Sequence, residues 1–364
     1  MRYGFWRVAL AGRVAVLVVL GVMACGAARA QEPFPGEPPP GAKVHHPRFP
    51  ERMLPPQGDP GIPTLKVTSN LVLVPTLVEQ PDGRTVYDLK ANDFTVLDNG
   101  ILQRVHLDSD MDLAPVSMVV CVQRGRDAPM VQEEIAQLGP LLRLFVGGGN
   151  GDVALVEFDS RPVYLDAFSP DLAPVENDLA NMQPGDGGAA IMDAVGFSLD
   201  LLAQQPADHR KILLLVSESR DHGSVHVTIP SLVQRIGESN TLVLSLIFSP
   251  ARAELGFGWR HGGGFHGDSG NLLAPLLMAY NAMRKNVPRS LVEMSGGEYA
   301  DFSRDKRFQM DVVQLANDAL NRYLLSFHPN NLTAGLHHLE VMVNISEKAR
   351  VIYRTSYWAP GPSG

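Results

Sequence analysis

The stretch Ser117-Met118-Val119-Val120-Cys121-Val122 decides the fold. From Met118 to Val122 it is apolar without interruption, so no alternation reserves one face for water. A strand of that kind is covered on both faces, as in a parallel sheet flanked by helices. Working outward, similar apolar runs recur at Val153–Phe158, Ile212–Ser217 and Leu242–Phe248. Helical stretches lie at Val131–Phe145, Ile191–Ala203, Leu232–Ser239, Leu272–Met283, Ser290–Met294 and Met310–Arg322. Strand alternating with helix specifies an α/β fold with a mostly parallel central sheet. Val163–Phe168 is the exception. Only Asp159-Ser160-Arg161-Pro162 separates it from the strand before, too little for a crossover, so a hairpin and an antiparallel edge are expected.

On either side of this region the signals are β. Between Leu65 and Asp110 there is a short apolar run at Leu71–Pro75 and turn chemistry at Pro81-Asp82-Gly83. The strand Asp93–Leu97 is turned by Asp98-Asn99-Gly100 into Gln103–Leu107. The C-terminal part gives Tyr323–His328, His338–Asn344 and Val351–Tyr357. So few strands cannot bury both faces alone. The expectation is therefore one small β-sandwich-like module, residues 65–112 pairing with 323–360, with the α/β domain of residues 113–322 inserted between them. Residues 31–64 are dense in proline and glycine and read as a tether.

The chain has 364 residues, 45% hydrophobic and 19% charged, as in a soluble globular protein. Its net charge of −8 and the lack of a basic patch give no reason to expect nucleic acid as a partner. Arg2, Arg7 and Arg13 precede the apolar run Val14–Met23, and Ala28-Arg29-Ala30 supplies small residues for cleavage. This predicts a secretory signal over residues 1–30, with no membrane span after cleavage. An uncleaved anchor and lipidation at Cys25 are the alternatives. Cleavage leaves Cys121 alone, so no internal disulfide is available, and its strand setting predicts a packed, inert thiol.

Several strings now acquire a meaning together. They are Leu71–Val74, Asp93–Gly100, Ala154–Ser160, Leu213–Ser217, Met294–Gly297, Tyr323–Leu325 and Ser356–Pro360. In this order and spacing the chain resembles the von Willebrand factor A-related proteins of the acidobacterial type, over nearly all of Leu65–Pro360. The resemblance implies a Rossmann-like A domain flanked by β segments, exported and used for binding. It also implies a Mg²⁺ site at the C-terminal end of the sheet, from an Asp-x-Ser-x-Ser loop, a Thr in a later loop and an Asp after the fourth strand.

Aligned to that pattern, Gln123-Arg124-Gly125-Arg126-Asp127 forms the first loop, Ala189 stands at the Thr position and Glu218 at the last Asp. Gln123, Asp127 and Glu218 keep oxygen, whereas Gly125 and Ala189 offer none. Mg²⁺ demands near-ideal octahedral oxygen geometry. The resemblance therefore implies a degenerate metal-ion-dependent adhesion site with no cofactor expected. A weak Mg²⁺ site or a relaxed Ca²⁺ site on Gln123, Asp127 and Glu218 is the alternative. Arg124 and Arg126 either bind a partner's carboxylate in place of the ion or belong to a solvated loop.

Other motifs carry less. Gly267-Asp268-Ser269-Gly270 resembles a protease nucleophile segment, but that chemistry needs a positioned His and Asp on a double β-barrel. His261 and His266 flank a glycine loop, and Ala251–Gly270 reads as an insertion near the ligand face. Gly147–Gly151 follows a helix and precedes a strand, the reverse of a dinucleotide fingerprint. The functional expectation is an exported, non-enzymatic module binding an unknown protein partner through Gln123, Arg124, Arg126, Asp127 and Glu218. A structural envelope scaffold and a hydrolase are the alternatives.

Overall fold

The computed structural model describes residues 71–108, 114–146, 151–248, 273–302, 307–330, 333–345 and 348–361. Residues 1–70, with the expected signal and Cys25, residues 147–150, and the segment with His261, His266 and Ser269 lie outside the described residues.

Six strands form the central sheet: β5 (Val116–Gln123), β6 (Gly151–Phe158), β7 (Pro162–Ser169), β8 (Arg210–Ser217), β9 (Thr241–Phe248) and β10 (Tyr299–Phe302). Their spatial order is β10-β9-β8-β5-β6-β7. All neighbours are parallel except β6 and β7, which pair antiparallel as the short connection requires. All eight residues of β5 are buried. Met118, Val120 and Val122 join the hydrophobic cluster on one face, while Val119 and Cys121 join that on the other. Burial pushes the Cys121 thiol up to about 12, so it stays protonated and unreactive.

Among the described residues, seven helices cover the two faces: α1 (Gln132–Leu138), α2 (Ala173–Ala180), α3 (Ile191–Ala203), α4 (Ile229–Glu238), α5 (Leu273–Lys285), α6 (Val287–Ser295) and α7 (Phe308–Leu320). The long helix expected over Val131–Phe145 is instead the short α1 followed by a 3₁₀ segment, Gly139–Leu144. Pro140 has no amide hydrogen to continue the α ladder. Two elements escape the sequence reading, α2 and β10. The first is only eight residues long, and the second has only four, one of them Asp301.

Two four-stranded antiparallel sheets complete the described structure. One has the order β13-β1-β11-β4 and the other β14-β12-β2-β3. Here β1 is Val72–Glu79, β2 Phe94–Asp98, β3 Ile101–Gln103, β4 Val105–Asp108, β11 Tyr323–Phe327, β12 Gly335–Val343, β13 Arg350–Tyr353 and β14 Ser356–Ala359. Val72, Val74, Phe327, Val96, Leu339 and Tyr357, drawn from both sheets, share one core, so the sheets pack face to face as a sandwich. Asn99 and Gly100 both have positive φ, as a tight hairpin turn between β2 and β3 requires.

Where the sequence shows one strand over Gln103–Leu107, the chain makes two, and β4 crosses to pair with β11. The same happens at Val351–Tyr357. β13 pairs with β1, Arg354 and Thr355 make the crossing, and β14 pairs with β12. At the crossing the guanidinium of Arg354 is buried and donates to four neutral oxygens, those of Ser356, Leu73, Gly237 and the Asn240 side chain. It thereby ties both sandwich sheets to the end of α4 and the loop after it. Gly237 lets β14 approach α4 closely, since a Cβ there would lie 2.9 Å from the Trp358 backbone nitrogen.

Candidate functional site

In a doubly wound sheet, ligands bind beyond the strand ends at the point where the order of strands reverses. Here β5 leads to β6 on one side and its other neighbour is β8, so the switch point lies between the ends of β5 and β8. Gln123 closes β5 and Glu218 follows β8 directly.

Four loops meet there through backbone bonds. Arg124 N donates to Phe158 O at 2.8 Å, Gly185 N to Arg124 O at 2.9 Å, and Arg126 N to Asp186 O at 3.0 Å. Ala190 N donates to Asp159 O at 2.7 Å, and Ala189 exchanges a pair of 2.7 Å bonds with His222. Thus the 123–127, 159–161, 185–190 and 218–222 segments form one floor. The carboxylate of Asp186 braces it by accepting from Ser160 N at 3.0 Å and Gly188 N at 2.8 Å.

Gln123 is fully buried and its amide is spent. Its Oε1 accepts from Glu218 N at 3.0 Å, and its Nε2 donates to Gly125 O at 3.2 Å and lies 3.4 Å from Glu218 Oε1. Arg126 has a left-handed backbone, φ 49°, and sets its Nε 2.8 Å from Glu218 Oε1. Arg124 reaches the other way, with Nη2 2.8 Å from Asp159 Oδ2 and Nε 3.9 Å from Glu157 Oε2. Burial pushes the Glu157 carboxyl up to about 7, with Arg124 opposing the shift. Burial also raises Glu218, opposed by Arg126. Asp127 is half-buried at the start of a 3₁₀ turn and makes no side-chain cap.

The donor set does not fit Mg²⁺. Gly125 and Ala189 present no oxygen, the Gln123 amide is occupied, and a guanidinium stands on the Glu218 carboxylate. A serine could not replace Gly125 without movement. A Cβ there would overlap the carbonyl oxygen of Gly188 and lie 2.8 Å from that of Asp186. The sequence reading names Gln123, Arg124, Arg126, Asp127 and Glu218, and the structure sets the first two loops and Glu218 side by side. It misses Asp159 and Asp186, which hold Arg124 and brace the floor. Their signal was the pair of turns Asp159-Ser160-Arg161-Pro162 and Gly185-Asp186-Gly187-Gly188.

A second carboxylate group lies at the other end of the molecule. Glu79, Glu298 and Asp318 are buried within 4.8 Å of one another. Two guanidinium groups meet them: Arg322 Nη2 at 3.0 Å from Glu298, and Arg350 at 2.8 Å from Glu79 and 3.4 Å from Glu298. Burial pushes the Glu298 carboxyl up to about 8, with Arg322 opposing. Three acids facing two arginines make an ion-pair network between β1, β13 and the α/β sheet.

No family model and no curated protein matches the chain. Among solved structures it resembles the vWF domain of the type V pili tip protein Mfa5 from Porphyromonas gingivalis, at 17% identity and TM-score 0.27 over 30% of this chain and 39% of that one. The chain therefore spans about two fifths of that structure. It also resembles the von Willebrand factor type A protein from Catenulispora acidiphila, at 8% identity and TM-score 0.42 over 81% and 64%. A third likeness is to the conserved hypothetical protein BatB from Bacteroides thetaiotaomicron, at 13% identity and TM-score 0.40 over 56% and 98%.

Proposed function

We propose that the chain is an exported, non-enzymatic protein-binding module whose A-type face works without a metal ion. The observation that carries this reading is the ion pair between Arg126 and Glu218, 2.8 Å apart over the switch point of the sheet. In a metal-bearing A domain a cation there would take up a partner's carboxylate. Here the cation is a guanidinium, whose flat fork of donors holds carboxylates in pairs of hydrogen bonds. Its Nε faces Glu218, and about a third of the Arg126 side chain remains exposed for a partner. Export is supported by the Arg2–Ala30 leader pattern. No helix among the described residues is long and apolar enough to cross a membrane.

The test is quantitative crosslinking in intact cells followed by purification of the chain, comparing wild type with Arg126→Gln and Arg124→Gln. A discrete partner recovered with wild type and lost with Arg126→Gln supports the reading, provided both proteins melt alike. Melting curves with and without millimolar Mg²⁺ or Ca²⁺ should coincide, because a ligand stabilises in proportion to its affinity for the folded state. A partner set indifferent to both arginines would favour the scaffold reading. Labelling of Ser269 by a fluorophosphonate would favour a hydrolase.

A further inference from the structure

A cavity of about 440 Å³ lies at the end of the α/β sheet opposite the candidate site, where β8 and β9 begin and the sandwich abuts them. Its size falls within the range of small-molecule sites, roughly 300–1,000 Å³. Two features set its chemistry.

The first is apolar lining where a water-facing surface would be polar. Val72 and Val74 of β1 point into the sandwich core, so the alternate residues Leu73 and Pro75 point out of it. With Leu324 of β11 they form one wall of the cavity.

The second is uncompensated positive charge. Arg235 is met by Asp200 at 3.4 Å, and Arg322 by Glu298 at 3.0 Å. Glu238 accepts a hydrogen bond from Gln234. Arg354 and Lys211 also line the cavity, and among the described residues neither is paired with a carboxylate. All four hydrogen bonds of Arg354 go to neutral oxygens. Burial pushes its guanidinium down to about 10, with only Tyr357 opposing. Lys211 is half-buried at the start of β8, and burial alone lowers its pKa, with no charge or hydrogen bond acting the other way. A buried cation without a counter-charge is costly, and an anion entering the cavity would offset that cost.

We propose that this cavity binds a small amphipathic carboxylate, its head at Lys211 and Arg354 and its apolar tail along Leu73, Pro75 and Leu324. The site is separate from the face carrying Arg126, so the two readings stand or fall independently.

Calorimetric titration of the whole mature chain tests the proposal. Octanoate is the probe, with octylamine, octanol and acetate as controls for charge and tail. Octanoate should bind saturably at one site, and each control should bind at least about ten-fold more weakly, the loss expected for one charge-assisted hydrogen bond. Lys211→Met should weaken octanoate by a similar factor while the free protein melts no lower than wild type. Ala203→Trp, at the rim of the cavity, should abolish binding. No saturable binding of octanoate, equal binding of octanol, or octanoate binding unchanged in both variants would each overturn the proposal.

Discussion

A side chain on Gly125 has no room, because the backbone carbonyls of Gly188 and Asp186 close over it. Gly125→Ser should therefore destabilise the protein by about 1–3 kcal/mol, the usual cost of overpacking a fixed site, as read from urea midpoints. Adding a missing adhesion-motif serine would open the floor rather than restore a ligand. The sequence shows the loss of that oxygen plainly. The crowding is not legible there, since Asp186 and Gly188 lie far along the chain. Glu157 supports a second prediction. Its carboxyl is raised, so between the ordinary carboxylate pKa and about 7 the folded state binds more protons than the unfolded one. Stability from this group thus falls as pH rises through that window. Glu157→Gln should lose about 3 kcal/mol less than wild type between acid and alkaline buffer. An equal loss in both proteins would remove Glu157 from the account.

At the scale of elements, the alternation of strand and helix and the antiparallel edge at β7 follow from hydrophobic runs and connection length, and both are found. What the pattern could not show is where a strand changes sheet. Gln103–Leu107 and Val351–Tyr357 each read as a single extended run, because a crossing keeps the chain extended and only its hydrogen-bond partners change. The sheet β14-β12-β2-β3 is pinned by a buried trio. Asp98 bridges His337 Nδ1 and the Tyr357 hydroxyl, each at 2.8 Å. Burial works against the charged imidazole of His337, yet its hydrogen bonds to Asp98 and to the Thr333 carbonyl leave its pKa raised. A raised histidine contributes stability fully below its unfolded pKa of about 6.5, and loses it as pH climbs through the folded value. Asp98→Asn should therefore cost more stability in mildly acidic than in alkaline buffer. A cost independent of pH would mean that the neutral hydrogen bonds alone hold the sheet.

At the scale of the molecule, the sandwich and the α/β sheet are joined by the Arg354 anchor, the Arg322–Glu298 pair and the α4–β14 contact at Gly237. Removing Asn321–Gly364 takes away β11 to β14. It bares both edges of β1 and uncovers Val74, Phe94 and Val96. Unpaired edges and exposed apolar faces drive aggregation, so the truncated chain should precipitate or lose its cooperative melt. A soluble product with an unchanged transition would show that the α/β sheet stands alone.

The pairing of Val72 with Phe327 also sets an order in time. Synthesis runs from the N-terminus, so β1 to β4 leave the ribosome first and wait while every strand of the central sheet is made. That sheet pairs strands closer together in the chain and has less loop entropy to overcome. The sandwich is then the last part to close, completed only when Ser356–Ala359 arrives. For most of its synthesis the chain carries a half-built sheet whose partners do not yet exist, and its first strands need shielding for that interval.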